Sequence, residues 1–345
     1  MMDRIILAIE SSCDETSAAI ICNDEVQSNV ISSQTIHEQY GGVIPELASR
    51  AHLQAISLIV DKAMKDSGKE YSELTSIAVT TQPGLAGALL VGSSFAKGLG
   101  LKLGIPVIPV HHIEGHIYSG MIEHPECDFP FIALIVSGGH TSIFLVRSFG
   151  DEVILGSTKD DAAGEAFDKI GKMLGLGYPA GPRIDALAKE GNPKAYVFPR
   201  ALMHEQHYDF SFSGLKTSVR YFLQREFPQG IPNEAILKDI CASVQEAIIE
   251  VLIHKLFRAS KEHRIKNIIV AGGVSANSRL RDALQAASQK RPVNVFLPKL
   301  SYCMDNAAMI GFLGSLKLKY LGEEAFRTLQ FTVNPRSIRT ERISS

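Results

Sequence analysis

Apolar runs of five or six residues recur along the chain, separated by short polar turns and by longer stretches with helical periodicity. The first run, Ile5-Ile6-Leu7-Ala8-Ile9, ends at Glu10; the polar turn Ser11-Ser12-Cys13-Asp14-Glu15 follows, then Thr16-Ser17 and apolar residues 18–22. The same design returns as Phe131-Ile132-Ala133-Leu134-Ile135-Val136, the tighter turn Ser137-Gly138-Gly139-His140, then Thr141-Ser142 and residues 143–146. Each copy predicts a strand, a small polar turn and a second strand, which is a hairpin signal. A third strand is expected at 26–32 in one copy and at 152–157 in the other.

Later in each copy a buried strand, a glycine-containing turn and a helix follow one another. Residues 76–80 precede Pro83-Gly84-Leu85, and residues 267–270 precede Gly272-Gly273-Val274-Ser275. The helices after them, 85–103 and 276–289, lead to short strands at 107–110 and 293–297. Short continuous apolar strands alternating with helices predict an α/β protein whose sheets are covered by helices on both faces. Two such halves are expected to face each other across a cleft: 1–110, completed by a C-terminal helix at about 322–345, and 111–321. The second half carries an insertion, 163–265, with helical pattern at 163–174, 182–189, 214–225 and 233–264 and none for strands. Only prolines mark the join: Pro106, Pro109, Pro125 and Pro130. A helix at 45–66 carries Leu47, Ala51, Leu58, Ile59 and Ala63, a stripe that suits either a core or a partner.

A length of 345 residues allows two domains at roughly 150 residues each. Residues of the apolar class make up 45% and charged ones 21%, ordinary for a globular protein. Thirty-five Lys plus Arg against 37 Asp plus Glu leave a net charge of -2, which excludes a protein held on nucleic acid by bulk charge. A local basic patch stays open: Arg183, Lys189, Lys194, Lys216 and Arg220 lie in the insertion, and Arg336, Arg339 and Arg342 in the tail. The first apolar run is shorter than the roughly 7 to 15 residues of a signal peptide, and no uncharged stretch reaches the ~18 that span a bilayer. The cysteines, Cys13, Cys22, Cys127, Cys241 and Cys303, are odd in number and form no CxxC pair, so a cytoplasmic protein without disulfides or a thiolate zinc site is expected.

The candidate chemistry is concentrated in a few segments. A Ser-Gly-Gly turn between strands lets backbone N–H groups approach a phosphate, although Ser137-Gly138-Gly139 taken alone is equally a tight hairpin. The related turn Gly272-Gly273-Val274-Ser275-Ala276-Asn277 follows a strand and opens a helix, where free N–H groups favour anions. Together the two turns point to a nucleotide or a phosphorylated ligand. In Val110-His111-His112-Ile113-Glu114-Gly115-His116, His112 and His116 are one helical turn apart and share a face, which suits a metal ion once a third donor is found; surface or capping histidines are the alternative. A zinc protease is excluded, because HExxH needs Glu directly after the first His and Ile113 stands there. Asp305, expected at the start of a late helix, is the candidate third ligand if the halves close on a cleft, since His with carboxylate suits Fe(II), Zn or Mn; its alternative is a first-turn carboxylate favoured by the dipole. Asp168 and Asp185 each sit in helical context near glycines, as solvated helix faces or as acceptors for a ribose diol.

These residues add up to a resemblance. Glu10 to Thr16, Gly41-Gly42-Val43-Ile44-Pro45-Glu46-Leu47-Ala48-Ser49-Arg50, 111–116, 136–141, 164–170, Ser211-Phe212-Ser213-Gly214-Leu215-Lys216-Thr217 and 272–277 resemble the bacterial TsaD family in the same order. The resemblance runs from about residue 5 to 320. It implies a duplicated actin-like ATPase fold, of the sugar kinase and heat-shock chaperone superfamily, with a helical insertion in the second half. It also implies transfer of a threonylcarbamoyl group from threonylcarbamoyl-AMP to the exocyclic amine of the adenosine just 3' of the anticodon, in tRNAs reading codons that begin with A.

Carried over by position, His112, His116 and Asp305 would bind one divalent metal ion, iron or zinc. Val136, Ser137, Gly138, Gly139, His140, Asp168, Gly181, Asp185 and Asn277 would hold the substrate's nucleotide portion, or an ATP- or ADP-type nucleotide. Ser11, Cys13, Asp14 and Glu15 would line the same cleft. Ala180 stands where a second glycine is common in the family. The resemblance further implies tRNA and TsaB-like and TsaE-like accessory proteins as partners, with no membrane.

The chemistry agrees, since a carbamoyl joined to phosphate is already activated and needs no protein nucleophile. A Lewis acid, backbone donors for developing charge and a carboxylate such as Glu15 to accept the amine proton suffice. An ATPase or small-molecule kinase of the same superfamily would share the fold and the glycine turns but leave the His pair unexplained. A catalytically silent scaffold is the remaining alternative.

Overall fold

The computed structural model describes residues 3–336. Along the chain the elements are β1 (Ile5–Glu10), β2 (Glu15–Cys22), β3 (Glu25–Ser33), α1 (Pro45–Ser67), β4 (Ser76–Gln82), α2 (Ala86–Leu103), β5 (Val107–His111) and α3 (His112–Ser119). Then come β6 (Phe131–Val136), β7 (Thr141–Ser148), β8 (Asp151–Ser157), α4 (Ala163–Met173), α5 (Gly181–Ala188), α6 (Ser213–Glu226) and α7 (Glu234–His263). The last are β9 (Asn267–Ala271), α8 (Ser278–Gln289), β10 (Asn294–Phe296) and α9 (Ala307–Leu321).

The strands form two five-stranded sheets, β3-β2-β1-β4-β5 and β10-β9-β6-β7-β8. Read outward from β1 and β6, the two have one topology. β1 pairs antiparallel with β2 and parallel with β4, and β6 pairs antiparallel with β7 and parallel with β9. The internal echo in the sequence is therefore a structural repeat. The insertion is helical, α4 to α7, and its contact with strand backbone is an isolated bridge between Thr158 and Phe210.

In the first sheet successive side chains of β1 point to opposite faces, as a strand's period of two demands. Ile5, Leu7 and Ile9 join Ile56, Val60, Ala63 and Ala96 of α1 and α2 in one core. Ala8 faces α9 instead: a Cβ at Gly311 would fall 2.9 Å from the Ala8 Cβ and 2.5 Å from Ile21. One turn on, a Cβ at Gly314 would fall 2.7 Å from the Ala78 Cβ. Two glycines a turn apart thus let α9 lie directly on the sheet. The second sheet buries Ile132, Leu134, Val136, Ile268 and Val270 against α4, α7 and α8, with Phe167, Ile248, Leu252 and Leu280 among the partners.

The chain divides into two compact units at other points than the pattern predicts. One runs through Pro125 and resumes at Pro298; the other is Glu126–Leu297. The first half does not end at 110, and α9 belongs to it rather than to 111–321, because α9 packs on the first sheet. Among the described residues 322–336 there is a short 3-10 turn, Glu323–Phe326, and no α-helix. The segment instead lies against the first unit: Lys97 Nζ donates to the Phe331 carbonyl at 2.6 Å, and Leu329 and Phe331 pack on its core. Residues 337–345, with Arg339 and Arg342, lie outside the described residues.

Candidate functional site

In the first unit β1 delivers Glu10, β2 delivers Glu15, and the turn between them holds Ser12, Cys13 and Asp14. β5 runs straight into α3, and His111 at the junction is its N-cap, its Nδ1 accepting from Ile113 N at 3.2 Å. The capping histidine is therefore His111. His112 and His116 face inward, buried, with ring centroids 4.8 Å apart and edge to face.

Asp305 closes the group. Its Oδ1 lies 3.1 Å from His116 Nε2 and 3.5 Å from His112 Nε2, and one donor atom from each of the three residues lies within 4.8 Å of the others. Asp305 precedes Asn306, the N-cap of α9, whose first turn is pinned: Ser17 Oγ accepts from Ala307 N at 2.9 Å and the Asn306 side chain accepts from Met309 N at 3.0 Å. All three residues belong to the first unit, so the third donor does not come from across a cleft between halves.

Glu10 is fully buried and holds the group from behind. Its carboxylate accepts from Ser12 N at 2.6 Å and from Thr80 Oγ1 at 2.5 Å, and lies 3.2 Å from His112 Nδ1. A carboxylate on one imidazole nitrogen turns the other toward a metal and raises its basicity. Burial pushes Glu10 up, but His112 outweighs it and holds the carboxyl below its ordinary value. Asp305 is likewise held well below its ordinary value, burial being outweighed by His112 and His116. Burial opposes charge on His112, yet Asp305 and Glu10 raise it well above 6.5, while His116 is lowered, chiefly by burial.

Two imidazole Nε2 atoms and one carboxylate oxygen, converging and oriented by a second carboxylate, are a donor set that fits a divalent cation. Glu15, beside them, is pushed up to about 9 by burial and by the charges of Asp305 and Asp14. At neutral pH such a carboxyl ionises only where a cation offsets those charges. Burial and the same acidic neighbours push the Cys13 thiol up as well. Glu10 is the residue that sequence reasoning left out of the site. Its signal was present: a carboxylate ending a run of five apolar residues, where burial demands a partner.

In the second unit the Ser137-Gly138-Gly139-His140 turn closes on itself, Ser137 N donating to His140 O at 2.8 Å. Space opens beside it: a Cβ at Gly138 or Gly139 would meet nothing within 4 Å. The glycines around the turn are different, being fixed by close packing. A Cβ at Gly164, in the first turn of α4, would fall 2.6 Å from Ser137 O, and one at Gly272, with φ +93°, 2.5 Å from Val136 O.

The other residues expected to hold nucleotide all have partners within the unit. Asp168 Oδ1 accepts from Ala180 N at 2.8 Å and from Gly181 N at 3.4 Å, and burial raises its pKa above the ordinary value. Asp185 takes both the N–H and the hydroxyl of Ser278, at 3.2 and 2.8 Å. Asn277 caps α8 through Leu280 N and donates to Gln245 Oε1 at 2.6 Å. The Ala180 methyl occupies room that Gly171 leaves, since a Cβ there would fall 2.1 Å from it.

Two further aspartates anchor the Ser211 to Thr217 stretch. Asp160 accepts from the hydroxyls of Ser211 and Ser213 at 2.6 and 2.7 Å and from Phe212 N and Ser213 N at 2.8 and 3.2 Å. It thereby caps α6, whose own N-cap offers no side-chain bond. Lys216, from the predicted basic patch, lies 3.6 Å from Asp161, while Arg220 on the same helix is exposed.

Comparison with known proteins fits this geometry. The profile of the TsaD family, tRNA N6-adenosine threonylcarbamoyltransferase, matches residues 25–312. A protein of that name from Thermosipho africanus is 48% identical over 331 residues, covering 96% of this chain and 99% of its own. One from Porphyromonas gingivalis is 50% identical over 323 residues, covering 91% and 94%. Among solved structures, HypF from T. kodakarensis superposes with a TM-score of 0.62 at 14% identity, over 95% of this chain and 49% of its own. Component A of the (R)-2-hydroxyglutaryl-CoA dehydratase of Acidaminococcus fermentans gives 0.54 at 11%, over 91% and 97%. These distant likenesses support the duplicated actin-like fold. The sequence matches decide against a kinase or a silent scaffold, and the chain belongs to the TsaD family of tRNA N6-adenosine threonylcarbamoyltransferases.

Proposed function

We propose that this chain transfers the threonylcarbamoyl group of threonylcarbamoyl-AMP to the exocyclic amine of the adenosine 3' of the anticodon, in tRNAs reading codons that begin with A. The observation that carries the reading is the buried triad of His112, His116 and Asp305 in a chain of this family. The amine nitrogen bonds to the carbamoyl carbon, the bond from that carbon to the phosphate oxygen breaks, and AMP leaves. The amine loses one proton, which Glu15, with Asp14 beside it, takes up.

His112, His116 and Asp305 would hold a divalent ion, which when bound supplies a Lewis acid. Two histidines and one carboxylate with further positions open are the set that suits Fe(II), so iron is assigned ahead of zinc; elemental analysis of protein purified without oxygen decides between them. Glu10 fixes the His112 ring for that task. The Gly138-Gly139 turn, flanked by Val136, Ser137 and His140, offers backbone N–H groups and open room to phosphate. Asp185 keeps lone pairs beyond those that Ser278 uses, as a carboxylate has about four acceptor positions, and these suit ribose hydroxyls. Asp168 and Asn277 hold the loops of Gly181 and Ser278 in place around the nucleotide.

The tRNA is presented by accessory proteins, TsaB-like and TsaE-like, because a net charge of -2 supplies little of the phosphate affinity that tRNA binding needs. Exposed Leu53 and Leu58 on α1, with Leu90 and Leu101 on α2, suit such a partner. No described helix is long and apolar enough to cross a membrane, and the reaction is assigned to the cytoplasm, where its tRNA is. The test is nucleoside mass spectrometry of tRNA incubated with the protein, threonine, bicarbonate, ATP, the adenylate-forming enzyme and the accessory proteins. Threonylcarbamoyladenosine that appears only with this chain present is the expected result, and its absence refutes the reading.

A further inference from the structure

α1 has an outer face that exposes Leu53, and one residue earlier an inner face that buries a histidine. His52 has no exposed surface. Its Nε2 lies 2.8 Å from the Cys13 carbonyl oxygen, and its Nδ1 lies 2.8 Å from Thr16 Oγ1. A carbonyl only accepts, so Nε2 carries the ring hydrogen and Nδ1 accepts from the Thr16 hydroxyl. Burial lowers the His52 pKa and keeps the ring neutral, as this arrangement requires.

Cys13 and Thr16 flank Asp14 and Glu15, so the two bonds of one imidazole bracket the two acidic residues of the turn. A third tie reaches the same turn. Gln34 N donates to the Asp14 carbonyl at 3.1 Å, while Gln34 Nε2 donates to Ala48 O of α1 at 3.3 Å. Gln34 is held in turn by buried His37, whose Nδ1 accepts from Ile44 N at 3.3 Å and whose Nε2 donates to Gln34 Oε1 at 2.9 Å. These bonds engage backbone and the Thr16 hydroxyl rather than the carboxylates of Asp14 and Glu15, which hydrogen-bond to each other.

We infer that His52 is a positioning residue for the transfer, fixing the backbone of the acidic turn so that Asp14 and Glu15 meet the reacting amine. The inference rests on the reading that those carboxylates serve the reaction. Misplacing a catalytic group by about 1 Å costs on the order of 100-fold in rate, so losing the bracket is felt in turnover before it is felt in binding.

The test uses the full chain with tRNA and its accessory proteins, in the variants His52→Ala, His52→Gln and Thr16→Val. Glutamine is chosen because its amide offers both a donor and an acceptor. The expected result for His52→Ala is a kcat lower by on the order of 10- to 100-fold. The KM for threonylcarbamoyl-AMP and the bound metal stay at wild-type levels, and hydrogen exchange of the 11–16 amides accelerates. His52→Gln is expected to recover most of the loss. Wild-type kcat in His52→Ala overturns the inference, as does a loss of kcat, metal and thermal stability together that glutamine fails to rescue. Should His52→Ala not fold, Thr16→Val, nearly isosteric, takes its place: kcat falls about tenfold, and an unchanged kcat overturns the inference. If the wild type itself modifies no tRNA, the reaction reading has failed; His52 is still tested by exchange, where unchanged protection of 11–16 overturns its role.

Discussion

The two sheets share one topology but end their first strand differently. After β1 comes a turn of carboxylates, Asp14 and Glu15, with Glu10 buried behind it. After β6 the same place in the repeat holds Gly138 and Gly139 with open room beside them. The first unit presents side chains, and they are surrounded by partners such as His52, Thr80 and Ser12. The second presents bare backbone, supported by the close packing of Gly164 and Gly272. One frame thus carries two kinds of turn, and the surroundings of each follow from whether it presents side chains or backbone.

The largest effects are expected in the first unit. His112→Ala and His116→Ala should each lower transfer on the order of a thousandfold and abolish stoichiometric metal by elemental analysis, with nucleotide affinity by calorimetry untouched. Stoichiometric iron or zinc in both variants would refute the ligand assignment. In the second unit the two kinds of glycine should separate. Gly139→Val, with open space for its side chain, should keep its thermal midpoint and weaken nucleotide binding about 10- to 100-fold, given roughly 1 to 3 kcal/mol for overpacking a filled site. Gly164→Ala should lose stability by about that amount. Unchanged affinity in a folded Gly139→Val protein would reduce the turn to a hairpin.

Smaller effects sharpen the contrast. Glu10→Gln should weaken metal affinity about tenfold, read by competition with a chelator, while leaving the second unit's nucleotide affinity as it was. Asp160→Ala removes the side chain that caps α6 and should cost about 1 kcal/mol. Burial raises the Asp160 pKa, but the Ser211, Ser213 and Phe212 donors outweigh it and hold the folded value below 3.8. The stabilisation is thus present above the unfolded value and lost as pH falls through the folded one. Wild type and variant should differ in thermal midpoint at pH 7 and converge in strong acid; a constant gap across that range contradicts the ionic cap.

The strands and their order within each half were legible because alternation and turn chemistry are local. The first turn, the glycine turns and the His pair could be read for the same reason. The place of α9 could not. Ala307-Ala308-Met309-Ile310-Gly311-Phe312-Leu313 is apolar on every side, so it marks itself as buried without naming the sheet that buries it. That choice comes from Gly311 and Gly314 meeting β1, β2 and β4, strands more than two hundred residues earlier. Asp305 does stand beside the histidines, but the bounds 111–321 put His112, His116 and Asp305 all in the second half, whereas all three lie in the first unit. Glu10 and Asp160 were missed as working residues because their partners, His112 and the Ser211–Ser213 turn, lie far along the chain.

The discontinuity of the first unit has a consequence for synthesis. Domains fold as units while the chain emerges from the ribosome, yet this unit stays without α9 until the other has been made entire. Residues 126–297 are contiguous, so the second unit is complete while β1 to β5 still lack the helix that covers Ala8, Ile21 and Ala78. His112 and His116 are already present on such a nascent chain, but Asp305 is not. The three-donor group is therefore assembled last, and only on a chain whose Gly138-Gly139 turn has already been built.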